Sequence, residues 1–275
     1  MKKVLIIGNG FDLNLGFKTG YNHFIESDNF KKLLSDDSNL ANHLKNISDK
    51  NDWVDIELEL STYSDKNHDF TLFKSEYRNL CSELTNYLNS LNFKVVDEKS
   101  EAYLFLTSNV LKGSDIDDFV IFDFNYTPTS RNILQKIGIP DEEIKKRLIK
   151  IHGTTDANNI IFGIHDQAGV SPIKNLIKKS TKPNFNESNI NKIMEKCSEI
   201  SIFGHSLGKT DEIYFKPIFY NYSVTSGDQI KLNLYHHGDD AHDSFYDRLA
   251  DLTGNQIARF RKKINIKLKN TKKDS

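Results

Sequence analysis

Val4-Leu5-Ile6-Ile7-Gly8-Asn9-Gly10-Phe11-Asp12 decides how the chain is read. Four consecutive aliphatic residues ending on a Gly-x-Gly turn are the pattern of a strand buried on both faces, as in a parallel sheet. The pattern recurs at Phe119-Val120-Ile121-Phe122 before Asp123-Phe124-Asn125-Tyr126, at Ile200-Ser201-Ile202-Phe203 before Gly204, and at Leu232-Asn233-Leu234-Tyr235 before His236-His237-Gly238-Asp239. Shorter apolar pieces at Ile149-Lys150-Ile151 and Ile160-Ile161-Phe162 predict one or two further strands. Polar or glycine residues gather at the carboxyl end of each run. The expected fold is α/β: an open parallel sheet flanked by helices, its strand ends facing one crevice.

After the first strand the period changes. Phe70, Phe73, Tyr77, Leu80, Leu84, Tyr87, Leu88 and Leu91 recur at threes and fours, with Lys74, Glu76, Arg78 and Glu83 on other faces, which predicts an amphipathic helix. Further helices are expected over 21–30, 39–47, 53–63 and 100–111. A strand-to-strand crossover needs far fewer residues. Residues 20–115 are therefore read as a helical insertion in one α/β domain spanning 1–258. Residues 171–191, with Pro172, Pro183 and many Asn and Lys, read as a mobile loop. The basic run from Arg259 to Lys273 reads as a solvated C-terminal tail, 259–275.

At 275 residues and 37% hydrophobic content the chain can bury a large core. Its net charge of −1 gives no general attraction to nucleic acid or anionic membrane, and no apolar stretch approaches the ~20 residues of a membrane helix. Membrane is excluded as an expected partner, and the charge argues against nucleic acid. Two cysteines, Cys81 and Cys197, lack C-x-x-C spacing and make no disulfide framework, so the expected location is cytoplasmic. The apolar run after Met1-Lys2-Lys3 stops at Gly8-Asn9 with no cleavage-like site beyond it, so the fold is read as starting at residue one.

Four stretches could carry chemistry. Gly8 and Gly10 let backbone amides approach a phosphate at a helix start, or simply make a tight turn; Leu13 stands where the dinucleotide fingerprint has its third glycine. Asn125 can cap the helix that Pro128 begins, or hold a ribose or a water. His152, before Gly153, can act as a base, bond a sugar hydroxyl, or be structural. Ser206, in Gly204-His205-Ser206-Leu207-Gly208, matches the G-x-S-x-G of a hydrolase elbow, with Asp211 or Asp239 and His242 to complete a triad. The short chain remaining after Ser206 argues against that reading; one wall of a nucleotide crevice is the alternative. His165, His205, His236, His237, Asp239 and His242 match no metal-ligand spacing, and no metal is expected.

Taken together, Ile7-Gly8-Asn9-Gly10-Phe11-Asp12-Leu13 with Gly16 and Thr19, Trp53-x-Asp55-x-Glu57, Phe124-Asn125-Tyr126-Thr127, Ile151-His152-Gly153, Ile161-Phe162-Gly163 and Phe203-Gly204-His205-Ser206-Leu207 with Asp211 resemble the bacteriophage abortive-infection family AbiH. The blocks follow that family's order from residue 4 to about 215. The set is also distantly similar to the sirtuin-like domains of bacterial anti-phage proteins. The resemblance implies a Rossmann-like (sirtuin-like) fold and an effector that hydrolyses NAD, its substrate, to nicotinamide and ADP-ribose. By position it implies Asn125 and His152 as catalytic, flanking the nicotinamide ribose. Gly8 and Gly10 would meet the pyrophosphate beside Asn9, Phe11 and Asp12, and Gly204 and Ser206 the adenosine ribose; Thr19, His205 and Asp211 complete the implied NAD-binding set. The sirtuin-like pattern has Asp two positions after the Asn, where this chain has Thr127. Nicotinamide leaves as a neutral pyridine, so the paired carboxylates of an ordinary glycosidase are not required. Expected partners are NAD or a related nucleotide, a phage-derived trigger or partner defence protein, and further copies of the chain. The alternatives are a nucleotide-binding sensor or interaction module without turnover, a serine hydrolase using Ser206, and a deacylase, for which zinc-ribbon cysteines are missing.

Overall fold

The computed structural model describes residues 2–50, 55–66, 69–112, 115–164, 169, 171–182, 187–225 and 229–272. In chain order the elements are β1 (Lys3–Ile7), α1 (Asn9–Asn14), α2 (Tyr21–Ile25), α3 (Asp28–Ser35), α4 (Asn39–Ser48), α5 (Ile56–Lys66), α6 (Phe70–Ser90), α7 (Glu101–Val110), β2 (Leu111–Lys112), β3 (Asp115–Ile116), β4 (Phe119–Asp123), α8 (Thr129–Lys136), α9 (Asp141–Arg147), β5 (Leu148–Lys150), α10 (Pro172–Ile177), α11 (Glu187–Met194), β6 (Glu199–Phe203), α12 (Glu212–Val224), β7 (Ile230–His236), α13 (Asp239–Leu252), α14 (Ile257–Lys263) and β8 (Ile264–Asn270). The chain forms two compact units.

The first unit comprises Met1–Gly16, Phe93–Ile151 and Asn186–Ser275. Its core is a six-stranded parallel open sheet in the order β5-β4-β1-β6-β7-β8, flanked by helices. Leu5 of β1 lies between Ile121 of β4 and Ser201 of β6, and all three are buried. Full burial on both faces explains why these strands read as continuous apolar runs. Ser201 is tolerated there because its Oγ accepts from Asn233 Nδ2 at 3.0 Å. From β1 the chain works outward through β4 to β5, then returns to the other side of β1 as β6. The strand order therefore reverses between β1 and β6, and a crevice at the carboxyl ends of a parallel sheet opens at such a reversal.

The expected strands at β1, β4, β5, β6 and β7 are present, but three other expectations are corrected. Ile160-Ile161-Phe162 is not a strand; Ile161 N instead donates to His152 O at 2.7 Å in a loop. The basic C-terminal tail is not frayed: its described part is α14 and β8, and β8 pairs with β7 from Ile264↔Ile230 to Asn270↔His236. The alternation Ile264, Ile266, Leu268 against Asn265, Lys267, Lys269 is that of an edge strand, and edge lysines discourage further pairing. Lys273 lies outside the described residues. Likewise the expected loop at 171–191 carries α10 and the start of α11 among its described residues.

The second unit comprises Phe17–Asn92 and His152–Phe185. It holds α2 to α6 and α10, so its limits differ from the expected 20–115: α7 belongs to the first unit, and the segment after His152 joins the second. The predicted long helix is α6, with Phe73, Tyr77, Leu80, Leu84, Tyr87 and Leu88 buried. Tyr63, Phe73, Tyr77 and Phe162 stack in a row, with centroids 6.0, 6.3 and 6.4 Å apart. Glu57, from the Trp53-x-Asp55-x-Glu57 block, forms a buried ion pair with Lys179 at 2.8 Å and accepts from Gly163 N at 3.3 Å. Trp53 and His165 lie outside the described residues.

Glu76 departs from its expected place on a solvent face. It is buried, and its Oε1 accepts from Asn39 N at 2.6 Å, Ser38 Oγ at 3.3 Å and Leu40 N at 3.4 Å. It caps the amino end of α4 from another helix, where unpaired amides and the helix dipole favour a carboxylate. Glu76→Ala is expected to destabilise the protein by about 2 kcal/mol, lowering Tm by about 4–8 °C. Glu76→Gln, which keeps an acceptor, should retain most of that stability. Thermal unfolding followed by circular dichroism checks both; equal losses would mean that the carboxylate's charge rather than its acceptor oxygen matters.

Candidate functional site

The turns after β1, β4 and β6 come together at the carboxyl end of the sheet. Gly10 N donates to Gly204 O at 2.9 Å, and a Cβ on Gly8 would stand 2.6 Å from that same oxygen. Gly204 has a positive φ of 64°, and a Cβ there would stand 2.3 Å from Phe11 N. The three glycines let two turns touch backbone to backbone, and no side chain fits between them. The amides of Gly8, Gly10 and Phe11 donate to Phe203 O, Gly204 O and Gly8 O at 3.0, 2.9 and 2.9 Å. All three are thus engaged within the unit. Asn9 is exposed on the rim, whereas Phe11 is buried edge-on against Phe203.

Asn125 is held in the neighbouring turn. Its backbone N donates to Asp123 Oδ1 at 2.9 Å, and its Nδ2 donates to Gly8 O at 3.2 Å, tying the β4 turn to the β1 turn. It does not cap α8: Pro128 occupies the N-cap position, with no side-chain hydrogen bond to the cap. The side chain's Oδ1 makes no hydrogen bond among the described residues.

Behind Asn125 lies a buried polar cluster that sequence reasoning had not assembled. Asp123 Oδ2 accepts from Lys150 Nζ at 2.8 Å and from Ser130 Oγ, and Lys150 Nζ also donates to Thr127 O at 2.7 Å. Thr127 Oγ1 donates to Asp12 Oδ2 at 2.6 Å, and Thr129 Oγ1 donates to Thr127 Oγ1 at 3.1 Å. Thr127 thus reaches from the β4 turn to the carboxylate of Asp12 on α1. Asp12 is fully buried, and its Oδ1 has no hydrogen-bond partner among the described residues. Burial foremost raises the Asp12 carboxyl to about 7; the Thr127 hydrogen bond opposes the rise, nearby Asp123 adds to it, and Lys150 and Thr129 oppose it. The available signals were a lysine within an apolar strand and an Asp at the end of another.

The turn after β6 bears on the hydrolase alternative. His205 Nδ1 accepts from Leu207 N at 2.9 Å and its Nε2 lies 3.3 Å from Asp211 Oδ2, so both ring nitrogens are engaged. The ring also lies against Phe124, centroids 4.3 Å apart. Ser206 is exposed and makes no hydrogen bond to a histidine among the described residues. Positive φ falls on Gly204 and Leu207, not on Ser206. Nothing in this turn activates the serine as an elbow nucleophile would be activated. Among the described residues no group of His, Cys, Asp and Glu is placed to hold a metal. The Cys197 thiol is pushed up to about 11 by burial and stays protonated.

Two expected site residues belong to the second unit. Thr19 N donates to Phe17 O at 3.0 Å. His152 is buried, and the following Gly153 has a φ of 73° with Asn159 O 2.2 Å from where a Cβ would be. Gly8, Gly10, Phe11, Asp12, Asn125, Gly204, His205 and Asp211 meet in the first unit, with Asn9 and Ser206 exposed on the same turns. Among the described residues no helix is long and apolar enough to cross a membrane.

A family model described as Bacteriophage abortive infection AbiH matches residues 4–230. No curated protein and no solved structure matches the chain.

Proposed function

The chain belongs to the bacteriophage abortive infection AbiH family, and on that premise we propose that it is an abortive-infection effector that hydrolyses NAD to nicotinamide and ADP-ribose. Family membership carries the phage-defence role; the NAD chemistry and the sirtuin-like character of the fold are the finer part of the reading. The sheet order supports it, because reversal between the first strand and its neighbour is the arrangement of dinucleotide-binding sheets. The observation that carries it furthest is Asn125: an amide fastened between Asp123 and Gly8, the latter on the β1 turn that borders that reversal, with Oδ1 left for a ribose hydroxyl. In the reaction, water adds to C1′ of the nicotinamide ribose as the N-glycosidic bond breaks. The bonding pair leaves with neutral nicotinamide, and the water's proton goes to solvent. The protein's task is to position the ribose and shelter the cationic transition state.

Chromatography of NAD in cells carrying the protein, before and during phage infection, tests the proposal. NAD should fall upon infection, and Asn125→Ala or His152→Ala should slow its loss by about a hundredfold. Unchanged loss in both variants overturns the assignment.

A second reading is a nucleotide sensor without turnover; in either reading groups other than the amides of Gly8, Gly10 and Phe11 must meet the pyrophosphate, because those amides already bond within the unit. Calorimetric binding of NAD or ADP-ribose, with no nicotinamide formed during infection, would favour the sensor.

A further inference from the structure

One face of β6, β7 and β8 carries none of the residues of the proposed NAD site. Parallel register aligns Glu199 with Lys231 and Asn265, Ser201 with Asn233 and Lys267, and Phe203 with Tyr235 and Lys269. Alternate residues of a strand share a face. Lys231, Asn265, Lys267 and Lys269 are exposed. Parallel strands are ordinarily covered on both faces and carry apolar side chains for the purpose. Here Ser201 and Phe203 of β6 are buried and Tyr235 stacks on Phe203 with centroids 5.5 Å apart, yet on β7 and β8 the same face presents ammonium and amide groups. Near its carboxyl end α7 walls a cavity of about 410 Å³ bounded in part by Phe105, Tyr235, Thr107, Ser108 and Lys269. Lys269 Nζ stands 5.2 Å from the centroid of the Tyr235 ring. From Arg259 to Lys272 the chain has no acidic residue, and α14 and β8 fix that run in place. The carboxylates beside it are already engaged: Glu101 with Lys269 at 2.8 Å, and Glu199 as acceptor from Asn233 at 2.8 Å.

We propose that this face binds single-stranded RNA, with phosphates along Lys231, Lys267 and Lys269 and a base in the cavity beside Tyr235. Ammonium groups fixed on a strand suit a phosphate backbone, and an aromatic ring accepts any base because every base has a π face. An open sheet face bearing aromatic residues is an established platform for single strands. Lys269 exchanges Glu101 for a phosphate as the base arrives. The cavity favours RNA over DNA. Thr107 Oγ1 and Ser108 Oγ already donate to the carbonyls of Tyr103 and Phe105, at 3.0 and 3.3 Å, and can offer a ligand only acceptor lone pairs. A ribose 2′-hydroxyl donates to such an oxygen; deoxyribose has none.

Fluorescence anisotropy of a labelled short oligouridylate with the full chain tests this independently of any NAD turnover. Binding at low salt should weaken steeply as salt rises. The double variant Lys231→Glu, Lys267→Glu should weaken it about tenfold or more and flatten the salt dependence. Tyr235→Leu should weaken it about tenfold and leave the salt dependence unchanged. Circular dichroism establishes that the variants are folded. No salt-dependent binding, or binding indifferent to the lysine changes, overturns the proposal. Equal affinity for oligodeoxythymidylate overturns the RNA assignment, and binding of polyglutamate without binding of RNA identifies an acidic protein partner instead.

Discussion

Gly204→Ala is expected to destabilise the first unit by about 3–5 kcal/mol, enough to deplete the folded product in many preparations. Two terms add. The residue has a φ of 64°, where an L side chain is strained by about 1–2 kcal/mol. Its Cβ would also stand 2.3 Å from Phe11 N and 2.4 Å from Gly10 C, both backbone atoms that no rotamer change can move aside. Forced overpacking of this kind costs about 1–3 kcal/mol or more, and here it would also pull apart the Gly10–Gly204 hydrogen bond. Gly16→Ala is the matched control. Its φ is 88°, but nothing stands within 4 Å of the added carbon, so only the conformational cost of about 1 kcal/mol is expected. Urea unfolding of the two variants side by side measures the difference. Equal losses would show that the β1 and β6 turns do not meet as described.

The second large effect is a dependence of stability on pH that Asp12 imposes. The ordinary carboxyl value is 3.8, and burial raises the folded protein's to about 7. Between those values the unfolded chain has released the proton while the folded chain keeps it. Raising the pH therefore favours unfolding. The contribution is fully present below pH 3.8 and is lost as the pH approaches about 7, a difference corresponding to about 4 kcal/mol. Asp12→Asn keeps an acceptor for Thr127 and cannot ionise. It should be more stable than the native protein at pH 8, and the advantage should shrink as the pH falls toward 5. Denaturation midpoints from pH 5 to 8 test this, and parallel curves for the two proteins would place the Asp12 carboxylate in a wetter site than the structure gives it.

The contrast between these two residues shows what could be read in the chain beforehand. Gly8, Gly10 and Gly204 stood out as turn glycines, since they fall at the ends of mainly apolar runs. Their partners did not, because contact between turns separated by nearly two hundred residues leaves no local pattern. Asp12 was legible only as a polar residue beside the glycine turn, placed by resemblance in the implied NAD-binding set. Its burial against Thr127 arises from tertiary packing, and so does the link of Lys150 and Ser130 to Asp123. Asn125 was legible as a strand-end amide, read as a helix cap or as a holder of ribose or water; the tether to Gly8 emerged only in the structure.

By itself the sequence determined the class of fold. Apolar runs ending in polar turns can be satisfied only in a sheet covered on both sides, and the threes-and-fours spacing of α6 can be buried only as a helix. It also determined family membership, through short blocks in a given order. The tertiary structure alone decided the order β5-β4-β1-β6-β7-β8, the limits of the two units and the placement of the basic C-terminal segment as α14 and β8. The physical reason is shared. Strand order and burial are set by contacts between distant residues, whereas a sequence pattern records only which face of its own element a residue occupies. Lys267 and Lys269 read as a charge run until β7 lay beside them and made them one face of a sheet.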